Sequence, residues 1–294
     1  MERSPERPSF AGAGRATSHD DARPAWVQAA DGTRRMLDVA YGPHPEQRLD
    51  VFRPATAAPA PLVVVVHGGG WSVGDKAQYA SVGNRLAHEG LVAMNVNYRL
   101  SPAVQHPTHV QDVALAIGWC YRHAAEYGAD PERLCLLGHS SGAHLAALVA
   151  LAPSYLAAEG VPPSAIGRVI GVSGVGYDLD ERYAALCVAP FFEPVFGADS
   201  SRWKLAAPMH YVERSAPAFL LVHGLGDTEA PPASTEVFAA ALEEAGVPTR
   251  LVLVPDENHI SVMFASAPAV VDFLQAPWPG PATAQPVAVE VAGA

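Results

Sequence analysis

The stretch LCLLGHSSGAHLAALVALA, residues 134–152, decides how this chain folds. A short apolar run ends at Leu137, glycines stand two residues before and after Ser140, and a long run of small apolar residues follows. Such a pattern predicts a buried strand, a sharp turn and a helix. Gly138 and Gly142 suit the turn because a Cβ at either position would crowd it. In a G-x-S-x-G arrangement of this kind the serine hydroxyl projects above the sheet.

Working outward, short apolar runs bounded by turn residues recur at 62–66, 91–96, 169–172, 218–222 and 250–254. The run LVVVV at 62–66 is apolar on both faces, as a buried parallel strand must be. Segments 35–41 and 48–52 alternate and flank Gly42-Pro43, which predicts an antiparallel pair. Helices are expected at 78–89, 107–128, 141–152, 233–245 and 261–274. In the second of these, Val110, Val113, Ile117, Cys120 and Ala124 share one face. Strand–helix alternation implies an α/β fold with an eight-stranded, mostly parallel sheet flanked by helices.

The rhythm breaks between 172 and 218. Tyr177, Tyr183, Phe191, Phe192, Phe196 and Trp203 fall in that interval, and a gap so long in a compact domain marks an inserted lid, expected at 174–212. Residues 1–33 predict a flexible N-terminal arm with a short helical stretch at 24–30. Residues 34–276 form the expected domain, and 277–294 read as a disordered tail.

With 294 residues, 49% hydrophobic and 17% charged, the chain can bury a large core without staples. Its net charge of −11 and lack of a Lys/Arg cluster argue against a nucleic-acid partner. The first ten residues, MERSPERPSF, carry no apolar signal segment, and no apolar run reaches membrane-spanning length. Cys120, Cys135 and Cys187 match neither a disulfide framework nor a zinc motif. Three reduced thiols fit a cytoplasmic protein. His106 and His109 are spaced like a metal pair but lack further ligands, so neither metal nor other cofactor is expected.

His67-Gly68-Gly69-Gly70-Trp71 follows the strand at 62–66. Three glycines let the backbone approach a substrate and turn N–H groups toward it. A nucleophilic Ser140 needs a base and a group to orient that base. In this architecture the order along the chain is serine, acid, histidine, on loops after late strands. HGLGD at 223–227 and DENH at 256–259 occupy those places. The expected triad is therefore Ser140, Asp227 and His259, with Glu229 and Asp256 as rivals for the acid. Ser141 has neither flanking glycine, and Ser173 has Gly171 at −2 but Val175 at +2, so neither fits G-x-S-x-G. His67 is expected to brace the glycine loop, and His139 is the variable residue of the elbow.

Together HGGGW, NYRLSP at 97–102, GHSSGAH, HGLGD and ENH resemble the α/β-hydrolase superfamily. Within it they are similar to the esterase/lipase branch around hormone-sensitive lipase. The resemblance is closer to small bacterial carboxylesterases and kynurenine formamidases. It spans about residues 34–275 and implies an oxyanion hole of the Gly69, Gly70 and Ser141 N–H groups. Implied, too, is hydrolysis of a small-molecule ester, short-chain or aryl, through an acyl-enzyme. A formamidase or other amidase using the same triad is the alternative, and a non-catalytic binding protein a more distant one. Trp71, Phe191 and Phe192 are expected to line an acyl or aryl pocket over Ser140. The other role open to such aromatics is to pack the insert against the sheet.

Overall fold

A computed structural model describes residues 24–56, 59–179, 189–278 and 288–291. The sheet has ten strands: β1 (Val27–Gln28), β2 (Arg34–Ala40), β3 (Arg48–Arg53), β4 (Ala60–Val66), β5 (Val92–Val96), β6 (Ala129–His139), β7 (Ile166–Val172), β8 (Ala218–Gly224), β9 (Thr249–Val254) and β10 (Ala288–Val291). Their spatial order is β1-β2-β3-β5-β4-β6-β7-β8-β9-β10. The first four in that order pair antiparallel, and every later pairing is parallel.

The eight expected strands are all present, and one short strand is added at each edge. At the N-terminal edge, residues 27–28 pair with β2 where the sequence predicts a helical stretch. Two residues held by cross-strand hydrogen bonds leave no apolar period to read. At the other edge, residues 288–291, within the stretch expected to be disordered, run parallel to β9. Residues 1–23, the body of the expected arm, lie outside the described residues.

Helices α1 (Ala80–His88), α2 (Thr108–His123), α3 (Ser141–Leu151) and α4 (Pro153–Ala158) are followed by α5 (Ala189–Phe196) in the insert. Then come α6 (Pro232–Glu244), α7 (Val262–Ala265) and α8 (Ala267–Gln275). The segment expected as one helix at 261–274 is two, broken at Ser266 ahead of Pro268. The helices cover both faces of the sheet and seal two cores. Leu62, Val64, Val66, Met94 and Leu136 pack on one face. Val63, Val65, Cys135, Leu137 and Ile170 fill the other. That alternation explains why LVVVV is apolar throughout.

Every residue of α3 is buried. Its small side chains let it lie close to the strands around it, and the glycines set the limit of approach. A Cβ on Gly138 would collide with the Gly142 carbonyl, and one on Gly142 would collide with that of Val66. Both obstacles are backbone, which cannot rotate away. Gly142→Ala should therefore lower the unfolding free energy by at least ~2 kcal/mol, as overpacking against fixed atoms does. Denaturant melts of the two proteins measure it.

Candidate active site

β6 ends at the elbow. Ser140 adopts φ 54°, ψ −123°, a positive-φ conformation that costs a non-glycine residue about 1–3 kcal/mol. It is held there by its own backbone: its N–H donates to the Val172 carbonyl at 2.9 Å, and its carbonyl accepts from the Ala143 and His144 N–H groups. Ser141 is the first residue of α3. Its N–H is one of those that a helix cannot satisfy internally.

The glycine loop lies against this turn. A Cβ on Gly68 would meet the His139 carbonyl oxygen at 2.9 Å and Ser140 Cβ at 3.0 Å. Gly69, Gly70 and Trp71 all have positive φ (121°, 58° and 57°). The Gly69 carbonyl accepts from the Ser72 and Val73 N–H groups, so the trans peptide sends the Gly70 N–H the opposite way. His67 does brace this loop: its ring stacks on Tyr98 at 4.4 Å between centroids, and its Nδ1 pairs with the Gly68 carbonyl at 2.8 Å. Tyr98 Oη donates to the His67 carbonyl.

Asp227 lies in the loop after β8, and His259 in the loop after β9. Leu225 N–H donates to the Val254 carbonyl and Gly226 N–H to that of Glu257, which ties the two loops together. His259 Nδ1 stands 2.7 Å from Asp227 Oδ2. Glu229 is exposed and contributes a backbone N–H; Asp256 is exposed. The Asp227 side chain is buried, and four donors converge on it. Oδ1 accepts from the N–H groups of Glu229 and Ala230, both at 2.9 Å, and Oδ2 accepts from His259 and, at 3.1 Å, His223 Nε2. Burial pushes this carboxyl up, but the Ala230 N–H and the His259 ring outweigh it and hold it below the usual carboxylate range.

His223 is a residue whose role the sequence does not single out. Its Nε2 faces two acceptors, Asp227 Oδ2 and the Ala230 carbonyl, so that nitrogen carries the proton. Burial pushes its pKa down. The ring is then neutral, and Nδ1 accepts from the Thr235 hydroxyl at 2.7 Å. The HxxxD spacing in HGLGD was the available signal.

Two of the expected pocket residues, Trp71 and Phe192, are packed in the interior. Trp71 and Phe192 are 0% and 1% exposed, so neither is a free wall of a pocket. Trp71 packs edge-on to His144, Phe192 and Phe196, with centroids 5.1–5.8 Å apart, and Trp203 adds to the cluster. Trp71 Nε1 donates to His144 Nδ1, and His144 Nε2 donates to the Ala206 carbonyl. The aromatics therefore fasten the insert to the glycine loop and α3. Tyr177 is also buried, stacked on Phe238. Tyr183 and the side chain of Phe191 lie outside the described residues. Among the described residues, no three His, Cys, Asp or Glu side chains are grouped to hold a metal ion, and no helix is long and apolar enough to cross a membrane.

Replacing Asp227 by asparagine should lower kcat/KM by at least ~100-fold more than Glu229→Gln does, because only the side chain on His259 Nδ1 fixes the tautomer. Steady-state kinetics of the two variants decides between the acids.

Esterase LipQ of Mycobacterium tuberculosis is 33% identical over 262 residues, 81% of this chain. The chain spans 61% of that relative's own length. A truncated carbohydrate esterase from gut microbiota superposes with a TM-score of 0.73 at 22% identity, over 84% of this chain and 97% of its own. Esterase 2 of Thermogutta terrifontis, phosphoramylated by tabun, gives 0.66 at 25% identity, over 82% and 96%. The shared architecture is the α/β-hydrolase fold. The BD-FAE family profile matches residues 49–242, a span that starts in β3, takes in the glycine loop, elbow and Asp227, and ends within α6. The chain belongs to the BD-FAE family.

Proposed function

We propose that this protein is a carboxylesterase that cleaves short-chain or aryl esters of small molecules through an acyl-enzyme on Ser140. The observation that carries this is the buried Asp227–His259 pair at 2.7 Å, on loops at the same sheet end as the strained serine. With Nδ1–H committed to Asp227, His259 presents Nε2 as the lone-pair nitrogen. Ser140 Oγ attacks the ester carbonyl carbon as its proton passes to Nε2. The negative charge that develops on the carbonyl oxygen is met by the N–H groups of Gly69, Gly70 and Ser141. Collapse of the tetrahedral intermediate breaks the C–O bond, and His259 returns its proton to the leaving alcohol. Water, deprotonated by the same histidine, then releases the acid. Asp227 remains a carboxylate throughout, consistent with its lowered pKa.

The esterase names of the relatives support this reading, as does the tabun adduct of the Thermogutta enzyme, since an organophosphate traps a serine nucleophile. A formamidase using the same three residues is not favoured, because those names describe ester hydrolysis. Buried free thiols at Cys120 and Cys135 support a cytoplasmic setting. Trp71, Phe192 and Trp203 fill space beneath the insert, which favours a small acyl group.

Ser140→Ala should cut kcat by at least ~10⁴-fold while leaving the melting temperature near that of the parent. A fluorophosphonate should label Ser140 alone, as peptide mapping reads directly; adducts at Ser141 or Ser173 would overturn the assignment. Across a p-nitrophenyl ester series, rates should be highest from acetyl to butyryl and fall sharply beyond about eight carbons, because the buried Trp71, Phe192 and Trp203 leave little room for a long chain. An optimum at long chains would show that the aromatic insert opens.

A further inference from the structure

One hydrogen-bond chain crosses the candidate site without using any of the three triad side chains. The Gly68 N–H donates to Tyr79 Oη at 2.9 Å. Tyr79 Oη stands 2.7 Å from His139 Nδ1. His139 Nε2 stands 2.8 Å from the carbonyl oxygen of His259. The direction of every link is fixed by its last member. A carbonyl only accepts, so His139 Nε2 carries a proton. Burial pushes the His139 pKa down to about 4, so the ring is neutral and Nδ1 is a lone pair. Tyr79 must then donate to it, which leaves the phenol oxygen free to accept from Gly68. Each group in the chain is satisfied, and none can be reversed.

The chain has a firm base. Tyr79 ends a 3₁₀ turn, Lys76–Tyr79, capped by Asp75. Two asparagines at the end of β5 hold that turn: Asn95 Nδ2 donates to the Tyr79 carbonyl at 2.8 Å, and Asn97 Oδ1 accepts from the Lys76 N–H at 2.6 Å. Lys76 in turn pairs with Asp38 at 2.7 Å and Asp50 at 2.8 Å. The phenol is thus anchored to the sheet independently of the loops it joins. At its far end the His139 ring packs on the His259 ring, with 4.9 Å between centroids.

We propose that Tyr79 and His139 are positioning residues: their chain fixes the glycine loop, from Gly68, and the backbone of the base, at His259, in one geometry relative to Ser140. It rests on Gly69–Gly70 and His259 serving as oxyanion donors and base. Three loops that arise from β4, β6 and β9 must meet to about an ångström for acyl transfer, and misplacement on that scale costs roughly 100-fold in rate. Gly68 is covalently next to the proposed donors, and the His259 carbonyl belongs to the residue that moves the proton. A neutral phenol–imidazole link joins the two without adding a charge beside the developing oxyanion.

The experiment is a double-mutant cycle with Tyr79→Phe and His139→Leu, and with His139→Gln as the conservative variant. Each of the first two should lower kcat by about 10- to 100-fold, with KM changed by less than about threefold and the melting temperature little moved. Affinity for an aryl trifluoromethyl ketone, whose adduct places an oxyanion in the hole, should fall in proportion to kcat/KM, because both report transition-state binding. The double variant should be no slower than the slower single variant, since one broken link opens the whole chain. Glutamine, which offers one donor and one acceptor, should recover part of the kcat lost in His139→Leu. Unchanged kcat in folded Tyr79→Phe would overturn the proposal, as would multiplicative losses or a ketone affinity that stays at the parent value. If His139→Leu does not fold, Tyr79→Phe and His139→Gln carry the same ketone and kcat tests. Failure of the parent enzyme to react with a fluorophosphonate at Ser140 would instead remove the nucleophile assignment, and is read separately.

Discussion

The close crossing of β6 and α3 at Ser140 is the constraint on which the rest of the site depends. A serine at φ 54° is stable only where its surroundings leave no alternative. Here the alternatives are closed by backbone: the Ser140 N–H is tied to β7, its carbonyl to the first turn of α3, and the glycines on either side sit against main-chain atoms at distances that no Cβ could share. The strain is offset by the burial of the whole of α3 and by the parallel strands on both sides of β6. The same crowding brings the glycine loop within contact of Ser140, because Gly68 has no side chain to hold it off. Ser140 and the glycine loop are thus adjacent for a single steric reason.

The electrostatics of the site follow from burying one carboxylate among four donors. An isolated charge at the depth of Asp227 would be expensive, and two backbone N–H groups and two imidazoles compensate it. The tautomers are set by this convergence. His223 must present Nε2–H because both of its neighbours are acceptors, and His259 must present Nδ1–H to the carboxylate. Histidines recur across the site in different roles: His67 stacks in the loop, His139 and His144 are neutral hydrogen-bond links, and His259 alone is placed with Nδ1 on the acid. Burial pushes His139 down to about 4 and His144 down to about 3, so these links add no positive charge beside Asp227.

The insert shows how an aromatic-rich segment can be read two ways and how packing chooses. Trp71, Phe192, Phe196 and Trp203 lie edge-to-face, the arrangement their ring quadrupoles favour. The Trp71 indole N–H, which needs a partner when buried, finds His144, which passes the link on to Ala206. Apolar area that could have faced a ligand instead joins the insert to the glycine loop and α3.

The central strands and their mostly parallel pairing, the turn at Ser140 and the strand-end loops that carry Asp227 and His259 were legible in the sequence, because each depends on local facts. An apolar run, a glycine where a Cβ cannot stand, and a short polar side chain just past a strand end are all written in a few adjacent residues. The pairing of 288–291 with β9 was not legible, since four residues carry no period of their own and their partner lies over thirty positions away. Neither was the burial of Trp71 and Phe192, because an aromatic residue has the same hydrophobicity in a pocket wall as in a core. The hydrogen-bond partners of His223, Tyr79 and His139 came only from folding, since the donors and acceptors around each side chain arrive from outside its own strand or turn. Tertiary structure alone brought residues 68, 79, 139 and 259 into one hydrogen-bonded line.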